Sequence, residues 1–201
     1  MARIPRFVRM AAVACAAGTS ALACGGGGDE GGLTVTSEVV SDPTPPDVRV
    51  LAPEGKGTWP VVMALHGLEG SGEDMVELAT RIARAGAVVF VPTYHAEFST
   101  MKDLIRAGDD ISCAYRLARR TASDYGGDLT QPVTAVGWSL GAGYVLLGSL
   151  REPGDETDAG RCPGQVPRPD VVVGISGCYY DFRSAGSTTR RAGATPAPTS
   201  T

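Results

Sequence analysis

The sequence predicts an α/β fold, a mostly parallel sheet with helices on both faces, and three features point to it. Continuous apolar runs of strand length alternate with segments whose apolar residues recur at helical spacing. Two segments of alternating apolar and polar residues come first. A glycine-flanked pentapeptide, Gly137-Trp138-Ser139-Leu140-Gly141, joins an apolar strand to an apolar helix.

Segments 33–40 and 47–51 alternate apolar with polar residues across Asp42-Pro43-Thr44-Pro45-Pro46, which predicts two strands joined by a turn at an antiparallel edge. Segment 60–65 is continuously apolar and ends at His66-Gly67, as in a strand buried on both faces. Met75, Leu78, Ile82 and Ala85 then recur at helical spacing, and 87–91 is the next buried strand. A long helix is expected from Thr100 to about Tyr125, with Leu104, Ile111, Ala114, Leu117, Ala118 and Ala122 on one stripe and Gly126-Gly127 as its stop. Strand 133–136, helix 140–150 and strand 171–175 complete the series. Ligands on such sheets sit at the carboxyl ends of the strands. His66, Tyr94 and Ser139 each fall just past one of those ends.

Charge and cysteine usage narrow the partners. The net charge is −4 and the 18 basic residues are scattered, so the electrostatic footprint of nucleic-acid binding is missing. With no Cys-x-x-Cys or His-Glu-x-x-His pattern, and His66 and His95 the only histidines, neither a metal site nor a cofactor is expected. Residues 1–23 read as an export signal, in which Arg3, Arg6 and Arg9 precede an uncharged run shorter than the roughly 20 residues needed to cross a bilayer. Ala21-Leu22-Ala23-Cys24 and a glycine tether over 24–32 resemble a bacterial lipobox with Cys24 as the lipidated residue; a plain secretory signal cleaved near Ala23 is the alternative. The membrane is thus a partner only through such an anchor. Export permits one internal disulfide among Cys113, Cys162 and Cys178, and spacing leaves both the pair and its existence open.

The pentapeptide letters alone are weak, because glycine is common in this chain. Their setting between a strand and a helix is what a nucleophile elbow requires. Gly137 and Gly141 give clearance to neighbouring backbone, Trp138 precedes the nucleophile, and Ser139 is pushed out of the turn in strained dihedrals. The helix that follows aims its positive end and the Leu140 N–H at the space where an oxyanion would develop. A second donor is expected from the turn His66-Gly67-Leu68-Glu69-Gly70, at the Leu68 N–H, with His66 and Gly67 shaping that loop. The stretch Gly67 to Gly72 lacks the Lys-Ser/Thr of a phosphate-binding loop.

The strand to His66-Gly67, the strand to Val91-Pro92-Thr93-Tyr94, the helix ending Asp124-Tyr125-Gly126-Gly127-Asp128 and the elbow together resemble the α/β-hydrolase superfamily, in particular secreted bacterial esterases and dienelactone-hydrolase-like proteins. The resemblance spans about 48–181. It implies acylation of Ser139 by a small-molecule or polymeric ester and hydrolysis by water, with the family order nucleophile, acid, histidine. This chain departs from that order. No histidine follows Ser139, and the last two strands of the family's sheet are not matched. Asp181 is a candidate acid or a structural residue; His95, on a strand two away from the elbow strand and so about 10 Å from it, is a candidate base or a loop residue. Residues 33–182 therefore read as a partial hydrolase domain truncated after its sixth strand, and 183–201, without Leu, Ile, Val, Phe or Trp, as a disordered tail. The competing expectation is a lipid-anchored binding protein that keeps the fold and has abandoned catalysis.

Overall fold

Valine-rich runs supply six strands in a computed structural model of the protein: β1 (Val35–Val40), β2 (Val48–Pro53), β3 (Val61–Leu65), β4 (Val88–Pro92), β5 (Thr134–Trp138) and β6 (Val171–Ile175). Three helices join them, α1 (Val76–Arg84), α2 (Met101–Thr121) and α3 (Leu140–Leu150). The structure describes residues 32–41, 46–55, 57–97, 99–150, 162 and 168–177. Cys24, Cys178, Asp181, the signal and tether segments and the expected tail lie outside the described residues.

The sheet runs β1-β2-β4-β3-β5-β6. β1 pairs antiparallel with β2 and β2 with β4, whereas β4, β3, β5 and β6 are mutually parallel. Successive side chains along a strand point to opposite faces, and two apolar layers result. Val61, Met63 and Leu65 of β3 pack with Val48, Val50, Val88 and Phe90 under Ala107, Ile111, Ala114, Leu117 and Ala118 of α2 and Val145 of α3. Val62 and Ala64 pack with Leu51, Val89, Val91 and Val136 under Ala79 and Ala83 of α1. Fully burying one such Val, Leu or Phe contributes about 1.5–3 kcal/mol. The expected mostly parallel sheet covered on both faces is the one observed.

Element boundaries depart from expectation in three places. α1 turns Ala79 and Ala83 fully inward, with Met75 buried just before it and Ala85 exposed just after it, and leaves Leu78 and Ile82 half-buried, because small side chains let the helix lie close on the sheet. α2 is capped by Thr100, whose hydroxyl accepts from the Asp103 N–H while the Asp103 carboxylate accepts in return, and it stops at Thr121 rather than Tyr125. Its last turn tightens into a 3-10 turn over Ala122–Tyr125 and ends at Gly126 with φ 77°, a left-handed value suited to glycine. β1 begins at Val35 and is mostly exposed, as an edge strand is.

A disulfide between Cys113 on α2 and Cys162 decides the open pairing, with Cα atoms 5.5 Å apart. The two cysteines are 49 residues apart, and a loop of that length gives about 2–4 kcal/mol of stabilisation.

Backbone comes very close to backbone where β5 hands over to α3. A Cβ on Gly137 would come within 2.3 Å of the Gly141 carbonyl group, and one on Gly141 within 2.4 Å of the Leu65 oxygen and 2.5 Å of the His66 oxygen. These are backbone atoms that cannot swing away.

Two outcomes follow from this packing. In urea melts, Cys113→Ser or Cys162→Ser lowers stability by about 2–4 kcal/mol, and an unchanged midpoint with or without reductant would contradict the bridge. Gly137→Val or Gly141→Val costs more than about 3 kcal/mol or abolishes soluble expression, whereas Ser139→Ala stays within about 0.5 kcal/mol. Thermal melts in which Ser139→Ala is the most damaging of the three would overturn the elbow packing.

Candidate active site

The close approach at Gly137 and Gly141 leaves the intervening turn little freedom. Ser139 takes φ 52°, one of three described non-glycine residues with positive φ; such a conformation costs about 1–3 kcal/mol and persists only where its surroundings impose it. Its N–H donates to the Ile175 carbonyl at 2.9 Å and its carbonyl accepts from Ala142 N–H at 3.0 Å, so β6 and α3 clamp the turn from both sides. Trp138, 44% exposed, closes β5 beside it. Leu140 opens α3, and its N–H is among the first-turn amides without an intrahelical acceptor.

The loop after β3 comes directly against this turn. A Cβ on Gly67 would lie 3.3 Å from Ser139 Cβ and 3.3 Å from the Trp138 ring. Gly70 N–H donates to the Gly67 carbonyl at 3.3 Å and Glu69 has φ 55°, the sign a type II turn needs at its third position. Leu68 is exposed in that turn, and its N–H donates no hydrogen bond among the described residues. The structure thus brings Gly67, Leu68, Trp138, Ser139 and Leu140 together at the carboxyl ends of β3 and β5.

Neither histidine is presented as a base. His66 is fully buried, and its Nδ1 donates to the Gly67 carbonyl at 2.9 Å, which fixes the proton on that nitrogen because a carbonyl can only accept. Burial pushes its pKa below the ordinary histidine range, against opposing effects of the Gly67 carbonyl and the Asp74 charge, so the ring stays neutral. It stacks on Tyr94 with ring centres 4.1 Å apart. His95 follows β4, which lies two strands from β5 with β3 between them. Its Nε2 faces Asp103 at 3.4 Å and Glu97 at 4.0 Å, and its N–H donates to the Asp110 carboxylate at 3.1 Å. These contacts hold the ring against the start of α2.

Sequence reasoning noted Tyr94 only by its position at a strand end and missed Asp103 altogether. A signal for Asp103 was present, since Thr100-x-x-Asp103 is a capping pattern that puts a carboxylate at the start of the helix, beside the loop that carries His95. Among the described residues there is no cluster of His, Cys, Asp and Glu that could hold a metal ion.

No family model and no curated protein matches this chain. Among solved structures, esterase B from Lactobacillus rhamnosis is similar with a TM-score of 0.56 and 20% identity, over 71% of this chain and 48% of that one. Vibralactone cyclase is similar with a TM-score of 0.53 and 16% identity, over 64% of this chain and 40% of that one. The chain therefore spans less than half the length of these structures. Sheet order, the two-sided helix cover and the glycine-bounded turn after β5 agree with that likeness: the protein has the α/β-hydrolase fold, represented over part of its extent.

Proposed function

We propose that this chain bears the nucleophile of a serine hydrolase acting on carboxylic esters, of the kind found among secreted bacterial esterases and dienelactone-hydrolase-like proteins. The observation that carries the reading is Ser139 held at φ 52° between two glycines at the carboxyl end of a central parallel strand. A serine side chain pushed out of a turn beside unpartnered amides is placed for acyl transfer. In the first step Ser139 Oγ bonds to the ester carbonyl carbon and the hydroxyl proton leaves with the alcohol as the C–O bond breaks. In the second, water adds to the acyl carbon, the carboxylic acid departs and Ser139 regains its proton. The Leu140 and Leu68 N–H groups receive the oxyanion in both steps.

Among the described residues neither histidine is placed as the general base. His66 is fully buried with its Nδ1 on the Gly67 carbonyl, and His95 follows β4, two strands from β5, with its ring facing Asp103 and Glu97. Without a base within hydrogen-bond reach a serine hydroxyl is a weak nucleophile at neutral pH. Turnover by this chain is accordingly weak, at the level of roughly 10³–10⁴ over water that oxyanion stabilisation and binding sustain without a complete triad. Export with lipidation at Cys24 belongs to the same proposal and rests on the amino-acid pattern of residues 1–32.

One observation favours the second reading, a non-catalytic lipid-anchored binding protein. The apolar strand β6 leaves Val171, Val173 and Ile175 exposed by 39%, 42% and 38%, and an exposed apolar edge strand is a template for pairing with another chain.

Purified protein assayed with short acyl esters separates the readings. Weak turnover that disappears in Ser139→Ala and persists in His95→Ala is the expected result; turnover unaffected by Ser139→Ala would remove Ser139 as the nucleophile, and no turnover in wild type would leave the binding reading. Efficient turnover lost in both variants would instead make His95 the base. For the anchor, metabolic palmitate labelling is expected in wild type and absent in Cys24→Ser, and unlabelled soluble wild type would sink it.

A further inference from the structure

Two consecutive carbonyls in the loop after β3 are pinned by side chains or backbone around them. The Tyr94 hydroxyl donates to the His66 carbonyl at 2.5 Å. The next carbonyl, that of Gly67, accepts from His66 Nδ1 at 2.9 Å and from Gly70 N–H at 3.3 Å. Across a planar trans peptide the C=O and N–H point in opposite directions, so holding these carbonyls also sets where the Gly67 and Leu68 N–H groups point. His66 can hold the second carbonyl only if its own ring is steady, and Tyr94 backs that ring, the two being nearly parallel at 20°.

Tyr94 is itself fixed from three directions. Its ring meets Tyr144 of α3 edge-on at 5.8 Å. Immediately after it, His95 N–H donates to the Asp110 carboxylate on α2 at 3.1 Å. One residue further, the Ala96 carbonyl accepts from Glu69 N–H at 3.0 Å, which clips the loop after β4 to the turn that contains Leu68. Tyr94 is only 3% exposed, and burial raises its pKa far above the ordinary tyrosine value, so the hydroxyl remains a donor at any working pH.

We propose that Tyr94 is a positioning residue which, by donating to the His66 carbonyl while its ring backs the His66 imidazole, aims the Leu68 N–H as an oxyanion donor beside Ser139. The role rests on the ester-hydrolase reading, since an oxyanion donor matters only to acyl transfer. The placement of the amide does not depend on that reading and is measured separately.

Tyr94→Phe removes the donor to the His66 carbonyl, which sets the Gly67 N–H, and Tyr94→Leu also removes the ring that backs His66, whose Nδ1 holds the carbonyl paired with the Leu68 N–H. In ¹⁵N–¹H spectra of the full chain, the Gly67 amide resonance is expected to shift in both variants and the Leu68 amide resonance in Tyr94→Leu, with quicker exchange with solvent and residues 88–92 of β4 unmoved. Tyr144→Phe, which instead removes the hydroxyl bonded to the Leu104 carbonyl, leaves the Leu68 amide in place. In the ester assay Tyr94→Leu lowers kcat about tenfold or more with KM within about twofold, the pattern of an interaction realised in the transition state. An unchanged Leu68 amide in Tyr94→Leu overturns the proposal whatever the turnover, and so does a shifted amide with kcat unchanged. If wild type shows no turnover, the esterase reading and the oxyanion role fall together, while the amide shift still decides whether Tyr94 sets the loop. Should Tyr94→Leu fail to fold, 3-fluorotyrosine at position 94 supplies a stronger donor in the same place, and an unmoved Gly67 resonance then counts against the proposal.

Discussion

The structure depends on the absence of two Cβ atoms. With hydrogen in their place at Gly137 and Gly141, α3 can start within a few ångströms of the carbonyls that end β3, and β5 can turn into it through one residue. A single methyl at either site would meet backbone at 2.3 to 2.5 Å, a distance that real Cβ atoms do not adopt. The left-handed conformation of Ser139 is the other side of the same constraint: a turn this short cannot be closed with an ordinary φ. The strain of about 1–3 kcal/mol is offset by the two apolar layers on which the turn rests.

From that crossing the remaining geometry can be followed outward. The β3–β5 pairing, in register at Leu65 and Gly137, brings the loop after β3 to the elbow. Gly67 then fits against Ser139 and Trp138, where a larger residue would press on both. Tyr94, at the end of the neighbouring parallel strand, reaches back over His66, and the Ala96–Glu69 hydrogen bond ties the two loops. On the other side, β6 contributes the Ile175 carbonyl that receives the Ser139 N–H. An edge strand with little of its surface buried is thereby part of the site's frame.

Much of this was legible in the residues because the signals were local. Continuous Val-rich runs marked β3 and β4, alternation marked β1 and β2, and glycines at 137 and 141 around a serine marked the elbow. What escaped was contact between segments distant in the chain. Whether Cys113 meets Cys162 depends on where the segment after α3 returns, which periodicity does not encode. That His95 turns toward Asp103 and Glu97 follows from how the start of α2 sits beside the β4 loop. The inward stripe of α1 was read through its large residues, when the alanines at 79 and 83 make the closest approach. His66 was expected to shape its loop, and its burial and single hydrogen bond agree with that, but its partnership with Tyr94 required the sheet order.

The central claim is that folding singles out Ser139 from every other serine in the chain. Reaction of the native full chain with a fluorophosphonate, followed by proteolysis and mass-spectrometric mapping, tests it without requiring turnover. The account predicts an adduct on Ser139 that forms in native protein and is lost in urea-unfolded protein. An adduct on a different residue, or labelling of Ser139 that is equal in native and unfolded chains, would contradict it.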